Sequence, residues 1–218
     1  MNVLAVGAHW DDIEIGCCLS LMRLKKRGAK LYGAVLTSSE YEISNEDYKR
    51  DESEAYQEGM ASLEEMGIIY RPTTMQQNLH LVYNQVVMQE LESIVRECSI
   101  DMVFTHWFGD HNTDHLATWE ISRVAFRNVR NVLMYQSNAY FDNVKIFSPQ
   151  YYWGFSADEY EQKKEILKIH KTEWEYRKKR WQREIFDRER FWGYLCGNDY
   201  AEAFMVSKLL NSDEIIMP

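Results

Sequence analysis

Apolar positions along this chain switch repeatedly between two spacings. "NVLAVGA" (2–8) is a short, nearly unbroken apolar run, the pattern of a strand buried on both faces. Ile15, Cys18, Leu19 and Met22 then recur at i, i+3, i+4 and i+7, one face of a helix. "RGAK" (27–30) closes that helix with Gly28 at the C′ position. "LYGAVLT" (31–37) predicts a second strand. Tyr56, Met60, Leu63 and Met66 predict the inward face of a second helix, stopped at Gly67 and followed by a short strand, "IIYR" (68–71), before Pro72. Val87, Leu91, Ile94, Val95 and Cys98 predict a third helix, and "DMVFTH" (101–106) another strand. Ala117, Ile121, Val124 and Ala125 predict a fourth helix, and "NVLMYQ" (131–136) a further strand. From about 155 the pattern is long, charged and helical, opened by Ser156 and Glu159 as a capping box. Trp174, Trp181, Phe186 and Trp192 are expected to hold that segment against the body.

Strands alternating with helices mean βαβ units and a mainly parallel sheet. The 218 residues suit a single domain over 1–218, with at most a small appendage. In open sheets of this kind, ligands bind beyond the carboxyl ends of the strands. His9, Asp11 and Asp12 fall there after the first strand. His106, Asp110, His111 and His115 fall there after the strand at 101–105. Two loops far apart in sequence are therefore expected to meet at one crevice.

Charge and composition narrow the partners. A net charge of −9 argues against a general nucleic-acid binder, which relies on positive charge. No apolar run approaches the roughly 18 residues of a membrane span, and the N-terminus lacks a basic segment followed by an apolar one. Cys17, Cys18, Cys98 and Cys196 form neither a CxxC pair nor a disulfide framework. Reduced thiols and a cytoplasmic location are the expectation.

The chemistry concentrates in "AVGAHWDDIEIGCC" (5–18). His9 and Asp12 are three residues apart, and at the opening of a helix such side chains face one way. His115, in "DHNTDHLATW", supplies the best third ligand. Three nitrogen and oxygen donors with an open position describe a catalytic zinc site, although iron or cobalt suits the same donors. Asp11 would point away from the ligand pair and could accept a proton from a bound water. The ordinary alternative is that these Asp residues cap a helix; the second His/Asp-rich loop tips the balance toward a metal.

These stretches resemble the LmbE-like deacetylase family, also called PIG-L-like. "AHWDDIEIGC" is similar to its "AHPDD-E-GCGG" signature, and "GDHNTDHLA" to its Asp-x-His-x-Asp-His motif. "LTSSE" (36–40), "KKEILKIHKTEW" (163–174) and "NDYAEAF" (198–204) resemble three further family stretches, in order along the chain. The resemblance implies a Rossmann-like three-layer α/β fold with a C-terminal helical segment. It also implies zinc-dependent removal of an N-acetyl group from an N-acetylglucosamine-type sugar or sugar conjugate, with one zinc ion per site. It assigns His9, Asp12 and His115 as metal ligands, Asp11 as general base, and Asp114 as the carboxylate beside the last ligand. His170 matches a late histidine that reaches the mouth of the site.

Two departures stand out. Trp10 replaces the family's proline and could stack on a sugar. Asn112 occupies the position of the second-motif histidine, so His111, His106 or His170 would take that oxyanion or acid role. Arg50 lies where the family often places a substrate-binding arginine, and Tyr151, Tyr152 and Trp153 could line a sugar cleft. The alternatives are a zinc-dependent amidohydrolase of another N-acyl substrate and a non-catalytic binding protein of the same fold.

Overall fold

The computed structural model describes residues 1–43, 48–138 and 144–210. Its strands are β1 (Asn2–Gly7), β2 (Lys30–Val35), β3 (Tyr41–Ile43), β4 (Tyr48–Arg50), β5 (Ile69–Tyr70), β6 (Met102–His106), β7 (Asn131–Tyr135), β8 (Tyr151–Phe155) and β9 (Tyr200–Leu209). The α-helices are α1 (Asp12–Lys26), α2 (Glu52–Met66), α3 (Gln85–Glu97), α4 (Thr113–Ala125), α5 (Ala157–Leu167), α6 (Lys171–Trp181) and α7 (Asp187–Cys196). A π-helical turn, Gln182–Phe186, joins the last two. Among the described residues, seven strands form one sheet in the order β5-β2-β1-β6-β7-β9-β8, while β3 and β4 pair separately. The five strands from β5 to β7 run parallel; β9 is antiparallel to both its neighbours.

The side-chain alternation of β1 shows why the fold has three layers. Val3 and Ala5 enter one core with Ile13 and Leu21 of α1 and Leu63 of α2. Leu4 and Val6 enter a second core on the opposite face, with Leu91 of α3 and Ile121 of α4. Strands buried on both sides read as unbroken apolar runs, and β1, β2, β6 and β7 lie within a residue or two of their predicted bounds. From β1 the chain works outward through β2 and β5, then returns to β6 on the other side. That reversal leaves a crevice between the carboxyl ends of β1 and β6, the usual ligand position in such sheets.

The structure corrects the expected face of α2. Its buried residues are Ala55, Gly59, Ser62, Leu63 and Met66, and Tyr56 is 41 % exposed. Gly59 turns inward because the Trp10 indole lies directly against it, where a side chain would not fit. The charged C-terminal segment is also not one continuous run. It begins with β8, breaks after α5 and again at the π-turn, and ends at Gly197, in the left-handed conformation that glycine adopts without strain. The Ser156–Glu159 capping box is present, and Trp181, Phe186 and Trp192 are buried. Among the described residues, no helix is long and apolar enough to cross a membrane.

Gly59 gives a test of the α1–α2 packing by sign alone. A Cβ built there would lie 2.2 Å from the Trp10 ring. Glycine to alanine inside a helix ordinarily stabilises by about 0.5–1 kcal/mol. Here Gly59→Ala is expected to destabilise by about 1–3 kcal/mol through overpacking, read from urea unfolding.

Candidate metal centre and active site

Two turns meet at the crevice. After β1, Gly7 leads into His9, Trp10 and Asp11, and Asp12 opens α1. After β6, a short loop leads to Asn112, whose side-chain oxygen accepts the backbone N–H of Asp114 and His115 at 2.8 and 3.3 Å and so caps α4. That cap fixes the first turn of α4 with His115 facing α1. His9 Nδ1 lies 3.1 Å from His115 Nε2 and 3.2 Å from Asp12 Oδ2. His115 Nε2 lies 3.2 Å from Asp12 Oδ1.

Each of these groups is oriented from behind. Asp114 Oδ2 lies 3.2 Å from His9 Nε2, and the same carboxylate accepts the backbone N–H of Leu79 and Leu81 at 2.7 and 3.2 Å. Asp110 Oδ2 lies 3.0 Å from His115 Nδ1. Its other oxygen accepts Asn112 N–H at 2.8 Å and the Asn138 side-chain amide at 2.6 Å. His106 Nε2 lies 3.1 Å from Asp12 Oδ2, and its ring stacks on His115 with centroids 4.0 Å apart. Carboxylates behind imidazoles in this way fix the tautomer, leaving the opposite nitrogen as donor.

The donor set fits a divalent cation on two counts. Tetrahedral bonds of about 2.0–2.1 Å to nitrogen or oxygen require donors about 3.3–3.4 Å apart, close to the observed spacing. The electrostatics agree. Burial alone would lower the pKa of His9, yet Asp12 and Asp114 outweigh it and hold it up to about 9. Burial likewise opposes charge on His115, and Asp12 and Asp110 raise it well above the usual imidazole range. Burial would raise Asp12, but the surrounding imidazoles hold it well below the usual carboxylate range. Asp12, Asp114 and Asp110 together thus favour positive charge at the point where the two imidazoles face Asp12, the field a divalent cation would enter. His106 behaves differently: burial and its neighbour His115 press it down to about 4, a neutral imidazole.

The cluster forms the floor of a cavity of about 370 Å³. Ser39, Asn78, Leu79, Asn112, Ser137 and Asn138 line its sides. The far wall comes from α6 and the π-turn: Glu173, Arg177, Arg180, Trp181, Glu184 and Ile185. Asp11 occupies the N-cap position of α1, but its side chain makes no capping bond and lines the cavity instead. Arg50 also lines it, nearly fully buried, with its guanidinium 3.4 Å from Glu58 and 3.5 Å from Glu173. Burial opposes the Arg50 charge, and Asp11, Glu173 and Glu58 outweigh it, so its pKa is raised. The Tyr41 hydroxyl donates to Glu173 at 2.7 Å and accepts from Arg177 at 2.9 Å.

Seven residues expected at the site lie elsewhere. Trp10 does not face the cavity: its ring is buried against Tyr56 and Tyr70, in the gap left by Gly59. His106 sits behind Asp12, with Ala8 N–H 3.1 Å from its Nε2, where it can touch no substrate. His170 is fully buried rather than at the mouth, 3.2 Å from Glu14; burial opposes its charge, and Glu14 raises its pKa. His111 is exposed and absent from the cavity lining, whereas its neighbour Asn112 lines it. Tyr151, Tyr152 and Trp153 lie on the edge strand β8, away from the cavity.

Asp110, placed by the sequence at the carboxyl end of the strand at 101–105 without a role, is the carboxylate behind His115. Ser39 and Leu79, both lining the cavity, adopt φ of 60° and 63°. Such non-glycine conformations cluster at functional sites. The Tyr41–Glu173–Arg177 set carries no local signal, because its members are joined only in the fold.

Comparison with known proteins extends the pattern. The family described as PIG-L, GlcNAc-PI de-N-acetylase, matches residues 4–126, which include His9, Asp11, Asp12 and His115. YaiS of Escherichia coli strain K12, described as an uncharacterized deacetylase, is 28 % identical over 176 residues, covering 78 % of this chain and 91 % of that protein. Among solved structures, N,N'-diacetylchitobiose deacetylase from Pyrococcus horikoshii superposes with a TM-score of 0.78 at 17 % identity, over 99 % of this chain and 88 % of that one. GalB, the 4-carboxy-2-hydroxymuconate hydratase of Pseudomonas putida KT2440, superposes with a TM-score of 0.75 at 14 % identity, over 99 % of both chains. With the family match spanning more than half of its residues, and both loops of the His9–Asp12–His115 cluster inside that match, the chain belongs to the PIG-L (LmbE-like) family.

Proposed function

We propose that this chain is a metal-dependent hydrolase that removes the acetyl group from the nitrogen of a small amino-sugar compound of glucosamine type. The observation that carries this reading is the convergence of His9 Nδ1, Asp12 and His115 Nε2 to within 3.2 Å on the cavity floor. Family membership supports deacetylation. The acetylated amino sugar named in the Pyrococcus horikoshii relative supports the substrate class.

A divalent cation on His9, Asp12 and His115, zinc by donor type, would polarise the amide carbonyl and acidify a water. The remaining steps belong to side chains of the chain itself. Asp11, beside the cluster and not engaged in capping, takes the proton of the attacking water as the carbon–oxygen bond forms. Asn112 commits its side-chain oxygen to the α4 amides. Its Nδ2 is then the donor for the carbonyl oxygen as negative charge builds there. Asp11 returns the proton to nitrogen as the carbon–nitrogen bond breaks, releasing acetate and the free amine. Arg177 with Glu173, and Arg180 with Glu184, present donors and acceptors side by side, the mixture that sugar hydroxyls require. Arg50 braces Glu173 in that wall.

An acetate-release screen of the zinc-loaded protein over N-acetyl sugar nucleotides and glycosides tests the reading; tightly bound zinc with no acetate from any member would overturn it. Asp11→Asn is expected to keep its metal and lose turnover by about 10²–10⁴-fold, and a full-rate variant would remove Asp11 from the mechanism. His115→Ala is expected to lose bound metal, measured by elemental analysis of the purified protein.

Asn112→Asp keeps the α4 cap and removes the Nδ2 donor. It is expected to lower kcat by about 10²–10³-fold with little change in Tm; unchanged kcat would assign the oxyanion to another group.

A further inference from the structure

Helix α1 is broken in its middle. Cys17 adopts φ −153° and ψ 22°, outside the helical region, so the first turn of α1 points differently from the rest. In an unbroken helix the Ile15 carbonyl and the Leu19 amide are partners. Here each is met by one member of a buried ion pair. Lys163 Nζ donates to the Ile15 carbonyl at 2.7 Å. The two Glu202 oxygens accept the Leu19 and Ser20 amides at 3.0 and 2.8 Å. Lys163 and Glu202 are themselves joined at 2.8 Å, and Lys163 reaches Glu189 at 2.7 Å. All three side chains are buried, and Tyr160 donates a further hydrogen bond to Glu189.

What hangs on this break is the catalytic end of the helix. Asp11, Asp12 and Ile15 line the cavity from the N-terminal side of Cys17. Ile15 also packs across the break with Leu19, in a core that holds Tyr160 and Trp181. Glu202 therefore caps the second half of α1 from within the protein, as an acidic side chain caps a helix start. Lys163 satisfies the carbonyl that the break leaves behind. An uncompensated charge in this place would be strongly unfavourable, so the pair holds the break in one geometry.

We propose that Lys163 and Glu202 are positioning residues that hold the break in α1 and thereby aim its first turn, with Asp11 and Asp12, into the cavity. Neither touches the reacting atoms. The inference rests on the reading of the floor as a metal centre for one of its two readouts and is independent of it for the other.

Cys17 and Cys18, fully buried at the break, are the built-in probe, because a maleimide reaches them only when the break opens. Labelling of the full chain under native conditions, resolved by peptide mass, reads that opening. Competition of Zn2+ between the protein and a chelator reads the aim of the ligands. Glu202→Gln exchanges one acceptor for a donor and is expected to speed labelling at Cys17 and Cys18. It is also expected to weaken Zn2+ binding by about 10- to 100-fold, the usual cost of losing a group that orients ligands. The control is Ile121→Val, in the opposite core, compared at a temperature equally far below its own Tm. Should Glu202→Gln not fold, Lys163→Met with Glu189→Gln and Glu202→Gln removes all three charges together, an exchange that buried ion pairs and triads often tolerate. Its expected readouts are the same. Parental labelling and Zn2+ affinity in the folded variant would overturn the proposal, and so would equal changes in the control. If the parent protein binds no Zn2+, the proposed function fails, and the labelling arm alone decides this inference.

Discussion

The carboxylate of Asp12 joins the two loops on which the site depends. One oxygen faces His9, from its own turn, and also His106, from the end of β6; the other faces His115, on the first turn of α4. Three imidazoles around one carboxylate are tolerable in a buried place only because the charges balance. Burial pushes each group toward neutrality, and the mutual attraction reverses that push at His9, Asp12 and His115 but not at His106. The neutral His106 then serves as a flat support, stacked on His115, while the other two each turn one ring nitrogen toward Asp12 and the other toward a second carboxylate.

Much of this was visible in the residue pattern, for physical reasons. The parallel strands are buried on both faces, so β1, β6 and β7 announce themselves as apolar runs, and α3 shows a clean amphipathic face. The loops after β1 and β6 could be paired because an open parallel sheet has one functional edge. The antiparallel strands β8 and β9 were not foreseen. Strand β9 carries Glu202 at a fully buried position, and a carboxylate inside an apolar run disguises the strand. Lys163, Glu173 and Glu189 were hidden for the converse reason. In a charged helix a buried residue looks like its exposed neighbours until its partner, remote in sequence, is known.

The histidines show the same limit at finer scale. His9 and His115 followed from spacing and motif, but His106, His111 and His170 were interchangeable on paper. Only the fold separates a ring stacked behind a ligand, a ring in solvent and a ring buried against Glu14. Nor does the fold name the reaction by itself, since a structural neighbour of comparable similarity is a hydratase. The reading as an amide hydrolase rests on the cluster, on Asp11 and on family membership.

The chain divides its labour along its length. The cavity floor comes wholly from the stretch that matches the family, 4–126, whereas the far wall between Glu173 and Ile185 lies beyond it. On the proposed function, the groups that act on the amide and the wall that faces the sugar are thus encoded in separate tracts. On that reading, substitutions in the later tract retune which molecule is accepted while the cluster on the floor stays unchanged.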